Sequence, residues 1–231
     1  IRPNIGMNAT FSKNTAAPGQ LALISQSGAL CTAILDWAAA NEVGFSAIIS
    51  LGNAADIDFG DLLDFLAQDH KTQSILLYVE GIRDARRFMS GLRIASRMKP
   101  VVIIKAGRHQ AGSQAALTHT GAMMGGDDVF NAAIQRAGVV RADTIQQLFA
   151  AAELLATQCR VHGRRLAIVT NGGGLGVMAT DRAIDLGIEL ANLSETTITN
   201  LDKVLPHHWS RSNPIDVLGD ASPERYKAAV N

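Results

Sequence analysis

The chain has 231 residues, of which 47% are hydrophobic and 18% charged, so it can bury a core of its own and is not a disordered protein. Its 21 basic residues balance its 21 acidic ones, which argues against a nucleic-acid binder, and no apolar stretch is long enough to predict a membrane span. The two cysteines form no Cys-x-x-Cys pair, so neither a metal centre nor a disulfide framework is predicted, and a cytoplasmic location is the simplest expectation.

Strands and helices alternate over the first two thirds of the chain. Continuous apolar runs predict buried strands at residues 21–25, 47–51, 74–80 and 101–106. Helical spacing of apolar residues predicts helices at 27–42, 59–68, 84–98, 127–137 and 144–158. This alternation is typical of an α/β fold in which helices cover both faces of a doubly wound parallel sheet.

The same pattern restarts after a polar, basic stretch at 158–165, which predicts a linker. Strands are predicted at 166–170, 188–190 and 215–218, and helices at 177–186 and 194–204, with a glycine-rich turn at 171–176. We therefore predict one domain over 1–159 and the start of a second over 160–231, both opening with a strand, a small-residue turn and a helix. The second has only three predicted strands and is expected to be incomplete. Both chain ends suggest a piece of a longer protein.

A glycine-bounded segment at 112–126 is the first candidate for chemistry. It places His119, the predicted catalytic residue, next to Thr120 and Gly121, which are predicted to bind phosphate, after a predicted buried strand. Loops that follow buried strands are where α/β proteins usually place functional residues. The alternative is a surface loop that happens to contain a histidine.

Two strand-to-helix turns are the second candidate. Their predicted phosphate-binding residues are Ser25, Gln26, Ser27 and Gly28 in the first turn and Gly172, Gly173 and Gly174 in the second. A helix N-terminus offers unpaired N–H donors and a partial positive charge, which suit a phosphate. The alternatives are that Ser27 only caps its helix and that the glycines form a turn without a ligand. Neither turn is a Walker loop, because no Gly-Lys pair occurs.

Glu80 is the third candidate, because it ends a predicted strand whose carboxyl end faces the ligand crevice. A carboxylate there could hold a neutral imidazole in one tautomer and stabilise its charged form. The alternative is a solvated glutamate at a strand end. Asp84 could serve instead, but it stands where a helix starts and suits the helix dipole.

Five further residues are weaker candidates. Lys105, Arg108 or His109 could contact phosphate, although a loop histidine is more often solvated. His207 and His208 have no cysteine or carboxylate at ligand spacing, so no metal site is predicted. The stretch 213–216 is interpreted as a strand initiated by proline, with a structural role.

The order SQSGA, SLGN, YVEG, THTGA, NGGGLGV and NPID resembles the NDP-forming acyl-CoA synthetases of the succinyl-CoA synthetase superfamily, above all the ADP-forming acetyl-CoA synthetases. It is also similar to the synthetase-like region of bacterial GNAT-type protein lysine acetyltransferases. The resemblance implies two flavodoxin-like domains, phosphorylation of His119, contact of Glu80 with that histidine, and phosphate binding by the two helix N-termini.

The resemblance also implies a reaction: an acid–thiol ligase that relays phosphate between acyl phosphate and ADP through a phosphohistidine. It implies CoA or acyl-CoA, and ADP or ATP with Mg²⁺, as ligands of a full-length protein. CoA-binding and ATP-grasp domains that bind these partners would lie outside this sequence, so the fragment alone is expected to be inactive and to bind none of them tightly. An oligomer is expected. The alternative is a regulatory, acyl-CoA-sensing domain of a GNAT acetyltransferase.

Overall fold

The computed structural model describes residues 1–10, 12–109, 126–157, 161 and 163–231. Within it the chain divides into two compact units, Ile1–Cys159 and Arg160–Asn231. The candidate residues His119, Thr120 and Gly121 lie outside the described residues.

The first unit is built on a five-stranded sheet in which every neighbouring pair is parallel. Its strands are β1 (Pro18–Ser25), β2 (Phe45–Ser50), β3 (Ser74–Val79), β4 (Val101–Lys105) and β5 (Val140–Ala142). Its α-helices are α1 (Gly28–Ala40), α2 (Phe59–Gln68), α3 (Ala85–Met98), α4 (Asp127–Arg136) and α5 (Ile145–Ala156). The strand order β2-β1-β3-β4-β5 is that of the flavodoxin-like fold. The predicted fold class is confirmed.

Both faces of this sheet are buried, because successive side chains of a strand point to opposite faces. Ala22 and Ile24 of β1 pack on one face with residues of α2, α3 and α4. Leu21 and Leu23 pack on the other with α1 and α5. Burial on both faces explains why the strands appear in the sequence as unbroken apolar runs.

Side-chain caps set where the helices of the first unit begin. Asp58 accepts hydrogen bonds from the N–H groups of Gly60 and Asp61 at the start of α2. Asp84 and Thr144 cap α3 and α5 in the same way. The predicted starts of these last two helices are therefore one residue early, since a cap residue stands just outside the helix. The interpretation of Asp84 as a helix-start residue is confirmed.

The strand β5 was not predicted. It has only three residues, and the side chain of its first, Val140, is 62% exposed. A short strand at the edge of a sheet needs no continuous apolar run, so the sequence carries no strand signal there.

The described residues of the second unit form four short strands and three helices. The strands are β6 (Arg165–Leu166), β7 (Val169–Thr170), β8 (Glu189–Leu190) and β9 (Ile215–Asp216); the helices are α6 (Gly173–Asp185), α7 (Glu195–Val204) and α8 (Pro223–Val230). β6 pairs with β8, and β7 pairs with β9, both in parallel. Its small core contains Leu201, Trp209 and Val217. The predicted strand 166–170 is thus two separate strands.

The side chain of Asn213 fills the gap between β6 and β7. Its Oδ1 accepts a hydrogen bond from the N–H of Ile168 at 2.9 Å. Its Nδ2 donates to the carbonyl oxygens of Leu166 at 2.8 Å and Ala191 at 3.0 Å. The structural interpretation of the 213–216 stretch is consistent with these bonds, because one amide joins the interrupted strand to the chain beside β8.

The helix α6 begins four residues before its predicted start. The glycines taken as a turn form its first helical turn, with Gly172 as the N-cap. A Cβ on Gly176 would lie 3.0 Å from the Thr170 Cγ2 and 3.2 Å from the Pro214 Cβ. A side chain at 176 would therefore crowd the strand ends on which the helix packs. Composition alone does not distinguish a glycine that packs closely in a helix from a glycine in a turn.

None of the helices in the described parts of the chain combines the length and apolarity needed to cross a bilayer.

Candidate active site

The carboxyl ends of β1 and β3 meet at the point where the strand order reverses. From β1 the chain passes to β2 on one side of the sheet and later returns to β3 on the other. Ligands of open α/β sheets bind in the crevice at such a switch point. Two of the predicted site elements, the turn after β1 and Glu80 after β3, are brought together here; the glycines of α6 belong to the second unit.

Gln26 ties the two strand ends together. Its Oε1 accepts hydrogen bonds from the backbone N–H groups of Glu80 at 2.6 Å and Gly81 at 3.0 Å. Its Nε2 donates to the Gly81 carbonyl oxygen at 2.9 Å, and its backbone N–H donates to the Tyr78 carbonyl oxygen. These four bonds fix the backbone that carries Glu80. Among the described contacts, the Gln26 amide thus positions Glu80, and its phosphate contact stays a prediction.

The serines on either side of Gln26 shape the start of α1. The buried Ser25 hydroxyl donates to the Ser27 carbonyl oxygen at 2.8 Å and accepts from the Ser27 N–H at 3.0 Å. Ser27 then caps the helix, because its hydroxyl accepts from the Leu30 N–H. The amides of Gly28 and Ala29 have no acceptor within the helix, since the first N–H groups of a helix lack one. The predicted cap is confirmed, and two donors remain at the crevice for an anion.

Glu80 is buried rather than solvated, with 7% of its surface exposed. Its partner on β3 is Tyr78. Burial, followed by the negative charge of Glu80 and a hydrogen bond with its side chain, raises the pKa of Tyr78 to about 12. The phenol is therefore neutral at physiological pH and can donate a hydrogen bond to the Glu80 side chain.

A second charged group lies at the ends of β4 and β5. Asp127, the first residue of α4, accepts hydrogen bonds from Lys105 at 3.2 Å and from Arg141 at 2.8 Å. Both cations also lie over the ring of Phe130. Burial alone would raise the pKa of Asp127, but the hydrogen bonds and charges of Arg141 and Lys105 lower it below its ordinary value. The carboxylate is thus held ionised between two cations.

This network flanks the segment that contains His119 on both sides in sequence. Lys105 and Arg108 precede the segment, and Asp127 follows it. Arg108 pairs with Asp143 at 2.7 Å, and the Nε of Arg141 lies 3.6 Å from the same carboxylate. Arg141 of β5 therefore interacts with Asp127 and with Asp143, the ion-pair partner of Arg108.

The second unit repeats the turn of the first. The Thr170 hydroxyl donates to the Gly172 carbonyl oxygen at 3.1 Å and accepts from its N–H at 3.0 Å, as Ser25 does with Ser27. Gly172 has no side chain that could cap the helix. The first three backbone N–H groups of α6 therefore have no acceptor within the helix. A Cβ on Gly173 would lie 3.2 Å from an Asp216 carboxylate oxygen, so an acid also stands beside this helix start. Phosphate binding by Gly172, Gly173 and Gly174 stays a prediction.

The remaining candidates belong to neither the switch point, the charged network nor the start of α6. His109, His207 and His208 are exposed. Among the residues that the structure describes, no three histidine, cysteine or acidic side chains are placed to share a metal ion.

Sequence reasoning missed the Gln26 bridge, Tyr78 and the Lys105–Asp127–Arg141 network. The bridge and the network join residues that are far apart in the chain: 54 positions separate Gln26 from Glu80, and 22 separate Lys105 from Asp127. One signal was present in the sequence, a lysine within an otherwise apolar strand, since a buried cation requires a partner.

Comparison with known proteins adds a decisive observation. Residues 18–155, more than half of the chain, match the model of the succinyl-CoA ligase like flavodoxin domain. The chain belongs to this family. The switch-point residues Ser25–Gly28 and Glu80, and the charged network, all lie within the matched region.

Two relatives are similar to almost the whole chain. The chain is 45% identical to acetate–CoA ligase [ADP-forming] I of Archaeoglobus fulgidus, matching 100% of this chain and 33% of that protein. It is 45% identical to acetate–CoA ligase [ADP-forming] I subunit alpha of Pyrococcus furiosus, matching 97% of this chain and 48% of that protein.

A solved structure agrees with both the sequence and the fold. The dinucleotide forming acetyl-coenzyme A synthetase 1 of Candidatus Korarchaeum cryptofilum, in complex with phosphate and ADP, superposes with a TM-score of 0.92. The identity is 37%, and the match covers 99% of this chain and 50% of that one. The succinyl-CoA ligase like chain thus spans between a third and a half of the length of these relatives.

Proposed function

We propose that this chain is the phosphate-relay core of an ADP-forming acyl-CoA ligase, with acetate-like acids as the substrate class. The observation that carries the proposal is the switch point: a buried carboxylate, Glu80, and the free amides of α1 lie at the ends of adjacent strands in a chain 45% identical to acetate–CoA ligases. Because the relatives reported above are ligases, this interpretation is favoured over a regulatory domain of an acetyltransferase.

In the proposed mechanism, His119 is the phosphate carrier. Its imidazole attacks the phosphorus of an acyl phosphate, the P–O bond to the acyl group breaks, and the free carboxylate leaves. The phosphohistidine then transfers its phosphoryl group to ADP, which forms ATP and restores the imidazole. A covalent intermediate divides a transfer between distant sites into two steps.

The neighbouring residues are proposed to supply position and charge. Glu80 accepts the N–H of the imidazole nitrogen that does not react, which selects the tautomer and stabilises the charged ring. The amides of Gly28 and Ala29 bind phosphoryl oxygens, where the helix dipole favours negative charge. Phosphoryl transfer depends mainly on such positioning and charge stabilisation. The Gln26 bonds matter because they hold Glu80 still.

The partners are proposed from the relatives. The matched region is only 33% of the Archaeoglobus relative. CoA and the nucleotide with Mg²⁺ would bind the parts of a full-length protein that correspond to the unmatched regions. These 231 residues alone are therefore expected to have little activity. An oligomer is supported by the name of the Pyrococcus relative, a subunit. A cytoplasmic setting is proposed from the sequence, whose two cysteines form no Cys-x-x-Cys pair.

Phosphorylation of the full-length protein tests the proposal. Incubation with γ-labelled ATP and Mg²⁺ is expected to leave an acid-labile, alkali-stable label that His119→Ala abolishes. Glu80→Gln is expected to lower the rate of labelling about a hundredfold, the range of a lost acid–base or orienting group, and Glu42→Gln, at an exposed position, serves as the control. Wild-type protein that is folded, hydrolyses no ATP and takes up no label would refute the relay.

A further inference from the structure

The outer surfaces of α2 and α3 carry opposite charges. The two helices lie side by side on one face of the five-stranded sheet. α2 contains two aspartates and no basic residue, whereas α3 contains four arginines and no acidic residue. Their exposed side chains form a surface that we call the α2–α3 face: Asp64 and Phe65 of α2, and Arg86, Arg93, Ile94, Arg97 and Met98 of α3. Because the whole chain has no net charge, this separation of charge is a local feature.

Most charges on this face have no partner of their own. One ion pair joins the two helices, between Arg87 and Asp61. Among the residues that the structure describes, the four charged members of the α2–α3 face form no ion pair. Acids on one helix beside bases on the next thus remain available to a surface with the reverse arrangement of charge.

Two apolar side chains lie along the seam between these helices. Arg87 and Gly91 mark the side of α3 that faces α2, the first through its ion pair and the second through close backbone contact. Ile94 and Met98 follow these two by seven residues, about two helical turns, so they lie on the same side of α3. They are nevertheless 46% and 58% exposed. The seam therefore presents apolar surface between acidic and basic flanks, the arrangement of an interface core with a polar rim.

Asp64 and Arg93 lie at nearly the same level along their helices. Both helices run against the direction of the parallel strands that they connect, so they are parallel to each other. A Cβ on Gly91 would lie 3.1 Å from the Gly60 carbonyl oxygen and 3.2 Å from the Leu63 Cβ. Asp64 and Arg93 come one and two residues after these contacts, which places the acid and the base opposite each other across the seam.

Such a surface is complementary to a second copy of itself. A twofold axis perpendicular to the helices, at the level of Asp64 and Arg93, would lay α2 antiparallel to α3 of the second copy. Asp64 of each copy would then face Arg93 of the other, and the apolar side chains Ile94 and Met98 of both copies would meet at the axis. A twofold contact uses the same patch on both chains, so it needs both signs of charge on that patch. A uniformly acidic partner, such as a nucleic acid, would instead be repelled by α2.

We propose that the α2–α3 face is a twofold interface between two copies of this chain. Its centre is apolar, and two reciprocal ion pairs between Asp64 and Arg93 fix how the copies are oriented. The proposal goes beyond the proposed function and does not depend on the phosphate relay.

Charge reversal in the full-length protein tests the interface. Asp64→Arg would place two arginines opposite each other at both contacts, and Arg93→Glu would place two acids there. Each variant alone is expected to raise the dissociation constant of the pair about tenfold or more, because repulsion replaces attraction twice. Sedimentation velocity near the wild-type dissociation constant should show the mass of the assembly fall by half. The matched control is Glu153→Arg, exposed on α5 at the other face of the sheet, which is expected to keep the wild-type mass.

Mixing the two variants distinguishes the proposed contact from damage to a single chain. In a mixed pair each introduced charge faces an opposite one, so an equimolar mixture of Asp64→Arg and Arg93→Glu is expected to recover the wild-type mass. A chain that carries both substitutions is expected to pair with itself. A monomeric wild-type protein, single variants that keep the wild-type mass, or a mixture that stays dissociated would overturn the proposal. Coverage of this face by another segment of the chain or by a different protein would give one of these results.

Discussion

Gln26 acts through its side chain, whereas Ser25 and Ser27 act mainly through the shape of their turn. Gln26→Glu would keep the acceptor for two N–H groups but lose the donor to Gly81, and it would add a charge to the strand end that already carries Glu80. We expect a loss of about 1–3 kcal/mol in the free energy of unfolding, measured by urea titration. Gln135→Glu, exposed on α4, is the control. Equal stability of both variants would contradict the bridging role.

Tyr78 provides a test of the charge at Glu80. Its pKa is raised to about 12 in the folded chain, so its contribution to stability is complete below its ordinary pKa of about 10 and is lost as the pH rises toward 12. The chain has two tyrosines, so the ultraviolet titration of wild type minus that of Tyr78→Phe isolates this one. A phenolate that forms near pH 10 while the chain is folded would contradict the burial of Tyr78 and its interaction with Glu80.

Asp127 forms ion pairs with two cations, Lys105 and Arg141. Asp127→Asn would leave the buried ammonium of Lys105 without its ion-pair partner, and we expect unfolding to become easier by about 3 kcal/mol. Asp128→Asn, at the next position in the same helical turn but exposed, is expected to change stability little. Differential scanning calorimetry of the two variants measures the difference.

The same pair of variants has a defined dependence on pH. Because the pKa of Asp127 is lowered, its contribution is present above the ordinary aspartate pKa and is lost as the pH falls through the folded-state value. The difference in the free energy of unfolding between wild type and Asp127→Asn should therefore become smaller as the pH falls. If this difference stays constant until the protein unfolds in acid, the ion pairs of Asp127 contribute nothing to stability.

At the scale of single elements, two glycines in the first turns of α6 differ in the space around them. Gly176→Ala would force a Cβ against Thr170 and Pro214, so we expect it to destabilise the second unit. Gly174→Ala meets no atom within 4 Å and should raise stability by up to about 1 kcal/mol, because alanine is the better helix former. Thermal unfolding followed by circular dichroism gives the Tm of both variants. A higher Tm for Gly176→Ala than for Gly174→Ala would show that the packing at 176 is loose.

Elements that form by local rules were predictable, and those that depend on distant partners were not. The first four strands and the helix starts at Asp58, Asp84 and Thr144 follow from apolar runs and caps in neighbouring residues. The strand β5 exists only because β4 lies beside it, and the split of the predicted strand at 166–170 depends on Asn213. The site shows the same division: Glu80 and Ser27 were found from their places after strands, but the Gln26 bridge requires knowledge that β1 and β3 are neighbours.

At the scale of the molecule, the two units differ in how much core they bury. The first has two clusters, one on each face of a five-stranded sheet, and the second has a single small cluster. The change in composition after residue 157 was enough to predict a boundary. The order of strands was not derivable from pattern alone, because apolar runs do not say on which side of β1 the next strand lies; family resemblance supplied it.

One tryptophan in each unit allows the two to be followed separately. Trp37 stacks on Phe149 in the first unit, and Trp209 is buried in the second, where its indole N–H donates to Asp202. We expect the fluorescence transition of Trp209, seen alone in Trp37→Phe, to occur at lower urea than that of Trp37, seen alone in Trp209→Phe, because a smaller core is less stable. Coincident transitions in the two variants would show a single cooperative structure.

The amide of Asn213 also bears on how the protein ages. Asparagine side chains are lost over time when the backbone nitrogen of the next residue attacks them and expels ammonia. Here the next residue is Pro214, whose nitrogen carries no hydrogen and cannot complete that attack. The side chain that joins the interrupted strand of the second unit is thus protected by its own neighbour from the commonest form of chemical damage to asparagine.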